Sequence, residues 1–252
     1  MSSIFIFGLL IAFMLTGMPI SIALGMTVLT FIYTMTNVPT ESVALKLFTG
    51  IDNFEIMAIP FFILAGNFLT HGGVARRMIN FATSMVGHWY GGLGLAGVMA
   101  CALFAAISGS SPATVIAIGS IMLPAMVNQG FPKRFGAGVI TTSGALGILI
   151  PPSIVMVMYA VATHTSVGAL FMAGVVPGIV LAIVLGLVTW WRARKNNYPR
   201  LPKASWGERW MAFRKSAWGL FLIIVVMGGI YAGIFTPTEA AAMSAVYAFF
   251  VA

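Results

Sequence analysis

Two short segments combine small polar residues with helix-breaking residues inside otherwise apolar sequence. The first is Ser108-Gly109-Ser110-Ser111-Pro112-Ala113-Thr114, and the second runs from Thr141 to Ser153 and contains two glycines and the pair Pro151-Pro152. Where glycine and proline interrupt a helix, the freed carbonyl oxygens suit a cation, and the N–H groups of the new helix N-terminus suit an anion. The two segments therefore predict a site for a small cation beside an anion.

The first segment also predicts a hairpin over residues 91–127. Gly91 to Ile107 and Pro112 to Val127 are apolar stretches of 17 and 16 residues, and the turn between them carries no charge. Each stretch is short for a full membrane crossing, and polar backbone at membrane depth is tolerated only where protein or water surrounds it. A re-entrant hairpin is expected, with Ser111 as N-cap and proline at the first helical position.

The absence of charge around both segments favours sodium over protons as the cation. No Asp, Glu, Lys or Arg occurs between Arg77 and Lys133, or between Arg134 and Arg192. A proton relay in a membrane needs a titratable group, whereas carbonyl and hydroxyl oxygens alone can hold Na⁺. The alternative is that Ser and Gly only let helices pack closely and that Pro only kinks a span. That alternative suits isolated residues better than two such clusters.

The composition indicates an all-α polytopic membrane protein. Of the 252 residues, 60% are hydrophobic and 7% are charged, whereas a soluble domain carries about 25% charged residues. The single cysteine excludes a disulfide framework, and the three histidines show no metal-binding spacing. Nothing resembles a catalytic triad, a P-loop or a carboxylate pair, so we expect no enzyme activity, no cofactor and no metal other than Na⁺.

The apolar runs outline the membrane crossings. Residues 1–40 are expected to form one long crossing, kinked or broken at Gly17-Met18-Pro19. Val74 to Trp89 reads as a helix on the membrane surface with Val74, Met78, Phe81, Met85 and Trp89 on its apolar face, or else as the frayed end of a span. The remaining predicted segments are Ile56–Thr70, 135–162 with a break at the proline pair, Gly168–Trp191, Ala217–Phe235 and an apolar helix from Pro237, capped by Thr236 and Glu239.

The charges predict the orientation in the membrane. Eight of the thirteen Lys and Arg residues lie between Arg192 and Lys215, so this segment is expected in the cytoplasm by the positive-inside rule. The Lys133-Arg134 and Arg76-Arg77 pairs then lie on the same side. Because orientation accounts for the basic segment, we expect no nucleic-acid partner.

Four stretches resemble the large membrane subunit of the tripartite ATP-independent periplasmic (TRAP) transporters, the DctM type. They are residues 57–66, Ser108 to Pro124, Gly144 to Ser153 and Gly229 to Ala242. The resemblance implies a multi-pass protein of the bacterial inner membrane that takes up a carboxylate, such as a C4-dicarboxylate or a sialic acid, with Na⁺. It also implies two partners, a periplasmic binding protein that delivers the substrate and a small membrane subunit.

The resemblance further implies an elevator fold of two inverted repeats, each with a re-entrant helical hairpin and a discontinuous helix. The family's chains continue into a second repeat, so this sequence looks like an N-terminal portion. The expected units are scaffold-type spans and an interfacial arm helix over 1–90, a transport-type unit over 91–191, a basic cytoplasmic loop over 192–216, and the start of the second repeat over 217–252.

By matching motif, the hairpin tip and the helix break carry the site. The expected Na⁺ ligands are Ser108, Gly109, Ser110, Ser111, Ser143, Gly144 and Gly147. The residues expected to border the substrate are Ser111, Thr114, Pro151, Pro152 and Ser153. Three alternatives stay open: a sodium/dicarboxylate carrier that needs no binding protein, a membrane enzyme acting on lipids, which the scarcity of acids and histidines disfavours, and a non-transporting assembly subunit.

Overall fold

The computed structural model describes residues 2–36, 39–50 and 52–252, and the helices over these residues fall into two compact units, Met1–Asn53 and Phe54–Ala252. The first unit contains α1, α2 and α3, and the second contains α4 to α13. The helices are α1 Ser2–Leu15, α2 Ile20–Met35, α3 Thr40–Thr49, α4 Ala58–His71, α5 Val74–Val86, α6 Gly92–Ser108, α7 Ser111–Asn128, α8 Lys133–Gly144, α9 Leu146–Leu149, α10 Ile154–Thr163, α11 Val167–Lys195, α12 Trp206–Tyr231 and α13 Pro237–Val251.

The first unit confirms the predicted break near residue 17. The apolar run divides into α1 and α2, with Gly17 in the left-handed conformation (φ 80°) and Pro19 as the residue before α2. Glycine adopts a positive φ at little cost, and proline lacks the N–H that a continuous helix would need, so the two helices are separate. Met1, Asn37 and Val38, which belong to the same run, lie outside the described residues.

The second unit contains the long apolar helices. By length and composition four helical segments of the described residues could cross a membrane, or five if the bent α8–α10 segment counts as one crossing. The four are Phe54–His71, which includes a 3-10 turn over Phe54–Met57, Ser111–Asn128, Val167–Lys195 and Trp206–Tyr231. The prediction of an all-helical, multi-pass membrane protein is therefore confirmed at this level.

Helix α5 buries the beginning of the apolar face predicted for it and leaves the end of that face exposed. The buried side chains of this helix are Val74, Ala75, Met78, Ile79 and Ala82, whereas Met85 and Trp89 are exposed and the helix ends at Val86. The small alanines are buried because α5 packs closely on its neighbours: a Cβ on Gly219 of α12 would lie 2.7 Å from a methyl carbon of Val74. Small residues let α5 and α12 approach each other closely, and this close packing determines which side chains of α5 are buried.

The basic segment over 192–216 is mostly helical, and the irregular part of it is shorter than the predicted loop. Residues 192–195 complete α11, residues 206–216 begin α12, and only residues 196–205 connect them. The start of α12 is a capping box: the Ser205 hydroxyl accepts from the Glu208 N–H at 3.2 Å, and the Glu208 carboxylate accepts from the Ser205 N–H at 2.7 Å. This Ser-x-x-Glu signal was present in the sequence. The same motif predicted at the start of α13 is confirmed, with Thr236 as N-cap.

Helix α4 links the ends of the second unit. Its Phe68 ring contacts Phe249 of α13, with 5.5 Å between ring centroids, and the Thr238 hydroxyl donates to the Phe54 carbonyl at 3.0 Å. On another side, Gly66 lies against Ser108, where a Cβ would be 3.3 Å from the serine Cβ. Helix α4 therefore packs directly on the end of α6 that carries the predicted site.

Candidate functional site

The hairpin tip is a two-residue connection between α6 and α7. Gly109 ends α6 in the left-handed conformation (φ 60°), and Ser110, in an extended conformation, is the N-cap of α7. Its hydroxyl accepts from the Ala113 N–H at 3.5 Å. The prediction of Ser111 as N-cap was therefore wrong by one residue, because the tight turn at Gly109 lets α7 begin at Ser111, with Pro112 still in the first turn.

Hydrogen bonds within the tip fix its polar side chains. The Thr114 hydroxyl donates to the Ser110 carbonyl at 2.9 Å and lies 3.1 Å from the Ser108 hydroxyl. Both Ser108 and Thr114 are buried. The tip is thus a hydrogen-bonded group of hydroxyl and carbonyl oxygens, in which Ser110 and Ser111 are half-buried.

The helix break lies where the proline pair predicts it. Helix α8 ends at Gly144, α9 adds one turn, and residues 150–153 leave the helical conformation before α10 begins at Ile154. The segments before and after the break are bent by 41°. Proline has no N–H to donate and its ring obstructs the preceding turn, so the pair forces this interruption. Pro151, Pro152 and Ser153 are all buried.

The structure brings the tip and the break together. A Cβ on Gly147 would lie 2.8 Å from the Ser111 nitrogen and 3.0 Å from the Ser110 carbonyl oxygen, so only glycine lets α9 approach the tip backbone this closely. On the other side of the tip, the Gly109 carbonyl accepts a 3.0 Å hydrogen bond from the Ile154 N–H. We call the contact of residues 109–111 with residues 144–154 the junction.

Two further contacts complete the junction. Gly144 of α8 faces Val115 and the Ser111 carbonyl oxygen, which lies 3.6 Å from where a Cβ on Gly144 would be. Gly109 packs on the Pro152 carbonyl, 2.8 Å from where its own Cβ would be. Of the predicted site residues, Gly109, Ser110, Ser111, Gly144, Gly147, Pro152 and Ser153 therefore contact across the two segments. Ser108 and Thr114 are bonded within the tip, and Pro151 lies in the break.

Two buried hydroxyls in the second segment have no hydrogen-bond partner within the described residues. They belong to Ser143, in the last turn of α8, and to Ser153, the N-cap of α10. A buried hydroxyl without a partner costs roughly 1–3 kcal/mol, so native proteins rarely leave one unless a water, ion or ligand binds it. These hydroxyls lie in a charge-free part of the chain, and they provide free oxygen lone pairs there.

Gly66 was not predicted as part of this site. Its contact with Ser108 supports the tip from α4. The sequence signal is an Ala65-Gly66 pair inside an apolar run. Such a pair is typical of closely packed membrane helices, but it does not identify the helix that packs against it. No group of three or more His, Cys, Asp or Glu residues that could hold a metal ion occurs within residues 2–36, 39–50 and 52–252.

A family comparison decides the relationship of this chain to known proteins. The profile described as "Tripartite ATP-independent periplasmic transporter, DctM component" matches residues 7–252. The chain belongs to the DctM family. Members of this DctM family are named as transporter components and not as enzymes.

Curated relatives agree with the DctM assignment. The chain is 77% identical to the C4-dicarboxylate TRAP transporter large permease protein DctM of Rhodobacter capsulatus, over all of this chain and 60% of the relative. It is 57% identical to the protein of the same name from Pseudomonas aeruginosa, over 84% of this chain and 50% of the relative. The Vibrio cholerae protein of that name is 51% identical, over 98% of this chain and 55% of the relative. The chain therefore spans 50–60% of the length of these DctM relatives.

Proposed function

We propose that the chain is part of the large membrane subunit of a transporter that takes up C4-dicarboxylates with Na⁺ across the bacterial inner membrane. Three relatives named for C4-dicarboxylates support this substrate class. The word "tripartite" in the family description supports two further components, for which we propose a periplasmic binding protein and a small membrane subunit. A sialic acid would need a wider site, and the high identity to C4-dicarboxylate proteins favours the smaller substrate.

The junction is the observation that carries the Na⁺ assignment. It joins a hairpin tip and a helix break, both without charged residues, and the buried Ser143 hydroxyl in the second segment has no partner among the described residues. Unwound backbone and half-helix ends are the usual source of Na⁺ ligands in transporters built from discontinuous helices. We propose that Ser108, Gly109, Ser110, Ser111, Ser143, Gly144 and Gly147 surround the ion, with backbone and hydroxyl oxygens as its ligands.

The helix N-termini beside the junction support an anionic substrate. Helices α7 and α10 both begin here, after Ser110 and Ser153. The Ile154 N–H already donates to the Gly109 carbonyl and the Ala113 N–H to the Ser110 hydroxyl, so the anion would be attracted by the other N–H groups of the first turns and by the helix dipole, which adds a partial positive charge of about half an elementary charge. We propose that a substrate carboxylate lies near these ends, bordered by Ser111, Thr114, Pro151, Pro152 and Ser153. The second carboxylate then requires residues beyond those described.

The close packing of the hairpin against the broken helix supports a transport unit that moves as one body. A Cβ on Gly119 of α7 would lie 3.0 Å from Ile140 of α8, and one on Gly136 would lie 2.9 Å from Leu123. Bodies packed this tightly shift by rigid displacement more readily than by internal deformation. We propose that residues 91–191 form the transport unit of an elevator mechanism.

Uptake into proteoliposomes tests the proposal. The complete protein, its small membrane subunit and its binding protein are reconstituted, and radiolabelled succinate uptake is measured with an inward Na⁺ gradient. We expect uptake with the Na⁺ gradient, and none when K⁺ replaces Na⁺ or when the binding protein is omitted. Equal uptake in K⁺ would contradict Na⁺ coupling. Full uptake without the binding protein would identify a sodium/dicarboxylate carrier that needs no binding protein.

A further inference from the structure

A basic cavity lies between the start of α8 and the end of α11, away from the junction. Its volume is about 460 Å³, and three cations line it: Arg134, Arg192 and Lys195. The other lining residues are Pro132, Phe135, Trp191, Asn196 and Tyr198, so no acid neutralises the three charges from the cavity wall. Such a cavity suits a compact anion that carries more than one oxygen acceptor.

Aromatic contacts hold one wall of this cavity in place. The Tyr198 ring lies 4.8 Å from the Phe135 ring and 5.4 Å from the Phe131 ring, measured between centroids. The Tyr198 N–H donates to the Ala193 carbonyl at 2.9 Å, which fixes the chain immediately after α11. The cavity is thus a built feature of the fold and not a gap between loose side chains.

An apolar groove continues from the basic cavity along the same two helices. This second cavity of about 250 Å³ shares Arg134, Phe135 and Arg192 with the first. Its remaining walls are Gly138, Val139 and Thr142 of α8 together with Leu185, Val188 and Thr189 of α11. The Thr142 hydroxyl is already bonded to the Gly138 carbonyl at 2.8 Å, so it leaves the groove mainly apolar.

The groove runs toward the apolar middle of α11. From Arg192 to Leu185 the helix rises by about 10 Å, at about 1.5 Å per residue. Val184, Leu187 and Val188 beside it are about half exposed, as expected for side chains that face lipid. The surface therefore has cations at one end and an apolar groove at the other. This combination matches the headgroup and acyl chain of a phospholipid better than it matches a free anion.

We propose that this surface binds an anionic phospholipid, with its headgroup phosphate between Arg134, Arg192 and Lys195 and part of an acyl chain in the groove. Basic pockets between membrane helices bind anionic headgroups in this way. Trp191 at the cavity edge is the residue type that membrane interfaces favour. The bound lipid joins the transport-type helices α8 and α11 at the membrane face, independently of the junction and its ion.

Lipid binding by the complete protein tests the proposal. The protein is purified in detergent, and its affinity for dioleoylphosphatidylglycerol is compared with that for dioleoylphosphatidylcholine by native mass spectrometry. We expect a clear preference for phosphatidylglycerol. Each cation near an anionic lipid changes the affinity by about fivefold, so Arg192→Gln should weaken binding about fivefold and the double variant with Arg134→Gln about 25-fold.

The matched control is Arg194→Gln, which removes the same charge two residues away. The Arg194 guanidinium lies 5.3 Å from the Trp190 ring centroid and does not line the cavity. We expect it to leave the lipid affinity within twofold of the unmodified protein. Equal losses for Arg192→Gln and Arg194→Gln would show a diffuse charge effect and would overturn the proposed site.

A second variant tests the acyl-chain groove. Gly138 lines the groove, and a Cβ there would meet nothing within 4 Å, so Gly138→Leu places a larger side chain of a helix-favouring type in the groove. We expect this variant to bind phosphatidylglycerol more weakly than the unmodified protein does. In the unmodified protein, we expect that inorganic phosphate at the same concentration neither stabilises the protein nor competes with phosphatidylglycerol. Competition by inorganic phosphate would show a free-anion site, and equal binding of phosphatidylcholine would show no headgroup selectivity. Either result overturns the proposal.

Discussion

Replacing Gly147 by alanine perturbs the junction at its closest backbone contact. The added Cβ would lie 2.8 Å from the Ser111 nitrogen, 2.9 Å from the Ser110 carbonyl carbon and 3.0 Å from the Ser110 oxygen. All three atoms belong to the main chain, so no side-chain rotation can relieve the contact. The hairpin tip and α9 must therefore move apart.

The size of the effect follows from these distances. Ordinary Cβ contacts begin near 3.4 Å, so the Ser111 nitrogen and the new Cβ must separate by about 0.6 Å. Overpacking of this kind costs about 1–3 kcal/mol. If the displacement falls on the ion ligands at the tip, the same free energy corresponds to a Na⁺ affinity that is about 5- to 150-fold weaker.

The assay is the Na⁺ concentration that gives half-maximal succinate uptake in proteoliposomes. Gly228→Ala is the control, because a Cβ there meets nothing within 4 Å and the helix gains a better helix former. Gly66→Ala, with its nearest contact at 3.3 Å to the Ser108 side chain, should give an intermediate effect. An unchanged half-maximal Na⁺ concentration in Gly147→Ala, with normal protein abundance, would refute the assignment of the ion to the junction.

Four further substitutions and one control separate ion and substrate binding from stability and orientation. Ser143→Ala should raise the half-maximal Na⁺ concentration, and Ser153→Ala should raise the half-maximal succinate concentration. Both should leave the unfolding free energy without Na⁺ unchanged or about 1 kcal/mol higher, because each removes a buried hydroxyl that has no partner among the described residues. Ser120→Ala, whose hydroxyl is bonded to a carbonyl, should change neither concentration. Lys203→Cys should react with an impermeant thiol reagent only from the cytoplasmic side, since the positive-inside rule places residues 192–215 there and Cys101 of this chain is buried. Thr236→Ala should cost about 1 kcal/mol in detergent unfolding through loss of its cap, with the Na⁺ dependence retained.

Local signals made the helix breaks and caps predictable from the sequence. The proline pair at 151–152 and the Thr236-x-x-Glu239 box each act within a few residues, so the residue types alone fix the backbone there. The Ser110 cap was missed by one residue, because two adjacent serines carry the same signal and the turn at Gly109 selects between them. The start of α12 was missed because its charged residues were taken as loop, although Ser205 and Glu208 marked the helix.

The contacts between segments that are far apart in the sequence could not be predicted from the sequence. Both halves of the site were predicted, yet nothing local indicates that Gly147 lies against the Ser110–Ser111 peptide or that Ile154 donates to Gly109. Those contacts depend on how α6 to α10 pack, and a glycine signals only that something approaches it closely. The burial of Ala75 and Ala82 of α5 could not be predicted for the same reason, since it depends on the neighbouring helices.

Hydrogen exchange measured in Na⁺ and in K⁺ at equal ionic strength tests the Na⁺ site most directly. The complete protein is compared in the two salts, and amide exchange is followed in peptides that cover residues 108–114, 143–154 and 196–205. An ion held at the junction predicts that Na⁺ slows exchange in the first two segments together, with the same half-saturation, and leaves residues 196–205 unchanged. Exchange that is identical in the two salts across both segments, or protection of one segment alone, would contradict a shared Na⁺ site.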